Sequence, residues 1–145
     1  VGIIVLNNDN HVFVGKRKDN PTNCWQMPQG GVDEGESFTS AMRRELFEET
    51  GIKNIKILKE INRYFEYELP NNLVGIIWKG KFRGQKQKWF ITKFLGSDGE
   101  INLNIQKPEF IDWRWIDPKK LPEVIVNFKK DLYISLLKEI NSVIN

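Results

Sequence analysis

The 145-residue sequence holds one cysteine, Cys24, and one histidine, His11. A single thiol excludes an internal disulfide and suits a reducing compartment, so a cytoplasmic location is expected. Neither residue has the neighbours of a nucleophile–base pair, and both read as structural. Long hydrophobic runs are missing as well: Ile3 to Leu6, the longest near the start, is too short to span a bilayer or form a secretory signal core. No membrane association and no obligate protein partner are expected. Internal repeats and low-complexity linkers are absent too, which points to one domain over residues 1–145. The first residue is Val1 rather than Met, which leaves room for a preceding segment.

What is present is core-forming material. Hydrophobic residues make up 40% of the chain and include five Trp and nine Phe, enough to fill a sizeable interior. The charge balance, 22 basic against 19 acidic residues, does not by itself identify a nucleic-acid binder. Its distribution says more. Basic residues cluster at Lys16, Arg17 and Lys18, again at Lys79, Lys81, Arg83, Lys86 and Lys88, then at Lys119 and Lys120, and at Lys129 and Lys130. A compact acidic group sits at Glu45, Glu48 and Glu49. That pattern suits a polyanion gripped around a metal-holding centre.

Two short β-branched or aromatic runs, residues 2–6 and 11–16, flank the turn formers Asn7 to Asn10 and predict a hairpin. Lys18 to Asn23 is polar and leads into Trp25-Gln26-Met27-Pro28-Gln29-Gly30-Gly31, where Pro and paired Gly predict irregular backbone. Ser37 is a fitting N-cap, Phe38, Met42 and Leu46 recur on one face, and Gly51 stands where a helix ends, so residues 38–50 are expected to be helical. Strands are expected within 55–69, before a turn at Pro70-Asn71-Asn72, at 85–95, and at 110–116 with Trp113 and Trp115 on one side. Pro118 suits the start of a helical turn, and Phe128, Leu132, Leu136, Ile140 and Val143 form the stripe of a second helix. Strands, helix, strands, helix predict a mixed sheet covered by two helices.

The chemistry concentrates in residues 30–52. Glu45, Glu48 and Glu49 stand at i, i+3 and i+4 and share one helical face. Alone, such a face is more often merely solvated; next to a cation its mutual repulsion is neutralised, and Mg²⁺, a hard ion with oxygen ligands, is the natural candidate. The surroundings decide between the two. Gly30, Glu36, Arg44-Glu45-Leu46, Glu48-Glu49 and Gly51-Ile52 occupy nine fixed positions at fixed spacing. This segment resembles the complete Nudix box. The resemblance implies an α/β/α sandwich, a divalent metal (Mg²⁺, with Mn²⁺ or Zn²⁺ as alternatives), and hydrolysis of a nucleoside diphosphate linked to another group. It also implies metal ligation by Glu45, Glu48, Glu49 and the Gly30 carbonyl, a steadying role for Arg44, a general-base role for Glu45, and a structural role for Glu36.

Further segments are similar to one branch of that family, the bacterial RNA pyrophosphohydrolases and the dinucleoside polyphosphate hydrolases. They are residues 25–31, residues 84–90, Pro108-Glu109-Phe110 with Trp113-Arg114-Trp115, and residues 126–133. The branch implies Glu109 as a fourth metal-binding carboxylate, Arg17, Gln85, Lys86, Lys88 and Lys129 on the substrate, and Tyr67 and Phe128 stacking on a base or simply packing. Packing is expected of Trp89, Trp113 and Trp115. The expected substrate is 5′-triphosphorylated RNA or, alternatively, a dinucleoside polyphosphate. A catalytically dead RNA-binding module would have lost a box glutamate, and none is lost. Two features depart from the branch: its short basic, aromatic segment ahead of the first strand is not in this sequence, and the loop at residues 18–23 is two residues longer.

Overall fold

The computed structural model describes residues 1–18, 23–68, 84–106 and 108–144. The expected turn at Pro70-Asn71-Asn72, most of the lengthened loop after Lys18, and Lys79, Lys81 and Arg83 lie outside the described residues. Five strands, β1 (Gly2–Leu6), β2 (Val12–Arg17), β3 (Ile55–Glu68), β4 (Gly84–Phe94) and β5 (Phe110–Ile116), form one sheet in the order β3-β4-β1-β2-β5. Among the described residues, the β1–β4 pairing is parallel and the other three are antiparallel. The sheet is therefore mixed, as the sequence predicts.

Its central strand explains its own composition. Gly2–Leu6 is buried throughout, so the run is apolar without alternation, as a strand covered on both faces must be. Ile4 and Leu6 face one core together with Val14, Trp89, Tyr133 and Leu136, whereas Ile3 and Val5 face the other with Phe13, Ala41, Met42 and Leu46. Helix α1 (Phe38–Thr50) covers the second face, and α2 (Leu121–Val124) with α3 (Lys130–Ile144) covers the first. The result is an α/β/α sandwich. Trp113 stacks on Phe13 at 5.7 Å and Trp115 meets it edge-on at 5.8 Å, so both tryptophans pack on the α1 side.

Local signals set the ends of α1. The Ser37 hydroxyl accepts from the Ser40 amide, and Gly51, at φ 75°, donates its N–H to the Phe47 carbonyl. The second helix starts later than its apolar stripe implies. Phe128 lies in a 3-10 turn, Asn127–Lys129, and α3 begins at Lys130. Four of the stripe's five members remain on the helix.

The loop before α1 is fixed by backbone pairing. The Gly15 amide donates to Gln26 and the Gln26 amide to Gly15, Ile3 donates to the Pro28 carbonyl, and Met27 donates to the Tyr133 hydroxyl. Gly30 is thereby held at the end of the sheet where β1 begins and β2 stops.

Candidate active site

Three carboxylates leave α1 toward that end of the sheet. Glu45, Glu48 and Glu49 line a cavity of about 360 Å³ together with Asp33, Arg44, Gln106 and Glu109. Helical spacing supplies the first three, and the tertiary fold supplies the others. Glu109 arrives from the loop before β5, where its carbonyl accepts from Lys18 and its carboxylate is paired with Arg17 at 3.0 Å. Ninety-two residues separate those partners in the chain.

Arg44 organises the acids. Its guanidinium donates to both oxygens of Glu36 at 2.8 and 2.9 Å, to Glu45 at 2.8 Å, to Glu48 at 3.3 Å and to the Gly31 carbonyl at 2.9 Å. A planar five-donor fork is needed to serve so many acceptors at once. Glu36 in turn accepts from the Asp33 amide and closes the loop that leads into α1. The Arg44 hydrogen bonds, helped by that amide, hold the Glu36 carboxyl down to about 2. Glu36 and Arg44 thus join the loop to the acids of α1.

The opposite shift marks the centre of the site. Burial, then the neighbouring charge of Glu45 and the weaker one of Glu109, push the Glu49 carboxyl up to about 8 against the pull of Arg17. Only 4% of Glu49 is exposed, and its Oε2 atom has no hydrogen-bond partner. Burial likewise raises Glu45, more than the Arg44 hydrogen bond lowers it. A buried carboxylate oxygen without a donor is costly unless a cation meets it. The donor set, oxygen throughout and open to a polar cavity, fits a hard divalent ion. Among the described residues no three acids are yet drawn into one cluster able to hold an ion. Arg44 pairs with Glu45 and Glu48, and Arg17 with Glu109.

Gly30 is tight for a physical reason. A Cβ there would lie 2.1 Å from the Glu45 carboxyl carbon, inside contact distance. Its carbonyl accepts from the Val1 nitrogen at 2.8 Å, which leaves a second lone pair. Gly30→Ala is expected to displace Glu45 and lower kcat about tenfold or more with the fold retained; a variant of unchanged kcat would show that this close approach is not needed.

The proposed substrate residues divide into two groups. Tyr67, Phe128 and Lys129 come together, with rings 5.8 Å apart and the Lys129 ammonium 5.0 Å above Tyr67. Burial pushes the Tyr67 hydroxyl up to about 12, against a hydrogen bond with Gln29. Lys86 and Lys88 are elsewhere, over the ring of Tyr64 at 4.6 and 5.5 Å. Strand alternation separates the groups: Gln87 and Trp89 point toward the α3 core, Lys86 and Lys88 to the α1 side. Gln85 pairs through its backbone with Tyr67.

Sequence reading missed a buried relay. Trp89 donates to Gln87, which donates to Gln29, bracing the loop that carries Gly30. It also missed Asp33 and Gln106 on the cavity wall. An uncharged glutamine in a strand gives no pattern to find; a polar residue between Lys88 and Lys86, on the buried side, is the only trace.

Comparison with known proteins agrees with this construction. A family model for the NUDIX domain matches residues 1–136. The RNA pyrophosphohydrolase of Pelagibacter ubique (strain HTCC1062) is 54% identical over 145 residues, 100% of this chain and 92% of that protein. That of Rickettsia canadensis (strain McKiel) is 45% identical over 144 residues, 99% and 89%. Among solved structures, the E. coli dihydroneopterin triphosphate pyrophosphohydrolase superposes with a TM-score of 0.73 at 19% identity, covering 95% of this chain and 93% of that one. A C. elegans Ap4A hydrolase reaches 0.66 at 16%, covering 97% of both. At such identities these two likenesses speak for the fold. From the match along the chain, the box and the cavity it lines, the chain belongs to the NUDIX family of hydrolases, enzymes that use divalent metal ions.

Proposed function

We propose that this enzyme removes pyrophosphate from 5′-triphosphorylated RNA and leaves a 5′-monophosphate. One observation carries the choice of substrate: the 54% identity to an RNA pyrophosphohydrolase runs along the whole chain. Glu45, Glu48, Glu49 and Glu109 are the proposed ligands of Mg²⁺, with the Gly30 carbonyl beside them. When bound, the ion neutralises phosphate charge and makes coordinated water more acidic. Glu45, half buried and raised by that burial, then suits a base that takes a proton from the attacking water. Arg44 orients Glu45 and Glu48. Arg17, paired with Glu109 beside the cavity, would hold a phosphate oxygen of the substrate. Phe128, only partly buried, offers a face for the first base, while Tyr67 and Lys129 pack behind it. A cytoplasmic site of action, where Cys24 stays reduced, belongs to the same reading, as does a single domain.

A dinucleoside polyphosphate would need the same carboxylates, so competition separates the readings. Given triphosphorylated RNA and diadenosine tetraphosphate together with Mg²⁺, the purified protein is expected to show a kcat/KM at least about tenfold higher for RNA. A ratio in favour of the dinucleotide would replace this proposal with the alternative, and no turnover of either would leave a binding module.

A further inference from the structure

The α1 side of the sheet carries a second aromatic group that the proposed reaction does not use. Tyr64 is 49% exposed and Phe38 37% exposed, and their rings meet edge to face at 6.2 Å. Lys86 and Lys88 bracket the Tyr64 ring from β4, the neighbouring strand. Large aromatics are commonly drawn inside, and two ammonium groups gathered on one exposed ring repel each other unless an anion joins them. Glu66, opposite Lys86 in register, is an acid on the same face and bounds the basic patch.

We propose that Phe38, Tyr64, Lys86 and Lys88 form a platform that stacks an unpaired base of the RNA, downstream of the 5′ end, and contacts its phosphate. The proposal rests on the RNA reading above for the identity of the strand. Base–aromatic stacking combined with a cationic track is the chemistry by which single strands are held without sequence preference.

Position supports the occupant. Phe38 and Glu45 share a face of α1, seven residues or about 10 Å apart along the axis. Tyr64 and Tyr67 lie three residues apart on β3, about 10 Å, with side chains on opposite faces. An RNA whose 5′ phosphates lie at the Glu45 end of α1 reaches Phe38 and Tyr64 along the same helix face.

The test uses the full chain with Phe38→Ala and Tyr64→Ala combined. Binding of a ten-nucleotide single-stranded RNA with a 5′-hydroxyl end is followed by fluorescence anisotropy, and kcat/KM is compared for triphosphorylated RNA of ten nucleotides and a triphosphorylated dinucleotide. The variant is expected to bind the oligonucleotide about tenfold more weakly and to lose about tenfold in kcat/KM on the longer substrate, through KM. Turnover of the dinucleotide stays unchanged. Tyr64→Phe retains binding, and Tyr64→Leu, which keeps apolar bulk without a π face, loses it. Equal losses on both substrates would reveal a structural role and overturn the platform, as would unaltered RNA binding or wild-type protein that binds no RNA. Wild-type protein that binds the hydroxyl-ended RNA through these residues but releases no pyrophosphate would reject the proposed reaction and keep the platform.

Discussion

Glu45→Gln is expected to lower kcat by about 10²- to 10⁴-fold, the contribution of a positioned general base, with little change in folding. Its side chain is only 15% exposed and has Arg44 as a neighbour, and an amide of the same shape can still accept that hydrogen bond. Near-normal turnover would reject the assignment. Glu49→Gln makes the informative contrast. The fold raises the Glu49 carboxyl from 4.5 to about 8, so it favours the protonated form. Its contribution to the stability of metal-free protein is fully present below about pH 4.5 and is lost as pH rises toward 8. Metal-free wild type should therefore lose more melting temperature between pH 5 and pH 8.5 than metal-free Glu49→Gln, while Mg²⁺ stabilises wild type more than the variant. Equal pH responses in a chelator would mean that Glu49 is not buried as a carboxyl.

Arg44→Ala has the second large effect, on stability and activity together. It leaves Glu36, Glu45 and Glu48 without their shared donor and frees the Gly31 carbonyl. A fully buried network of this kind would cost several kcal/mol to break; with 27% of Arg44 exposed, solvent screening reduces the expectation to roughly 2 kcal/mol. Activity should fall by about 10- to 100-fold, as when an outer partner of a metal ligand is lost. Arg44→Lys should recover part of the stability and little of the activity, since a point charge cannot span Glu36, Glu45 and Glu48. Denaturant midpoints with and without Mg²⁺ measure the first effect: added ion should narrow the gap, because it compensates the same acids. A variant as stable and active as wild type would show that the guanidinium is not what organises the loop and helix.

Among the site residues, legibility followed distance along the chain. The three glutamates of α1, the cap at Ser37 and the stop at Gly51 depend on neighbours within one or two turns, so spacing alone revealed them. The Glu36–Arg44 contact joins the loop before α1 to its second turn, and the Nudix resemblance implied only a structural Glu36 and a steadying Arg44, not their pairing. Lys86 and Lys88 were expected on the phosphates, yet a strand's two-residue period sends them over Tyr64, away from the side where Tyr67 and Phe128 meet. Phe128 fits a helical stripe by count, but the backbone spends a tighter turn there before α3 begins.

The sequence by itself determined the reactive groups and their immediate order: a capped helix with acids at i, i+3 and i+4, and an apolar central strand. These follow from backbone periodicity, which needs no distant partner. Only the tertiary structure decided that Arg17 meets Glu109 across 92 positions, that Glu49 loses its water, and which face of β4 each lysine takes. Burial and long-range charge pairing depend on how the sheet and helices close on one another, and no local pattern encodes that closure.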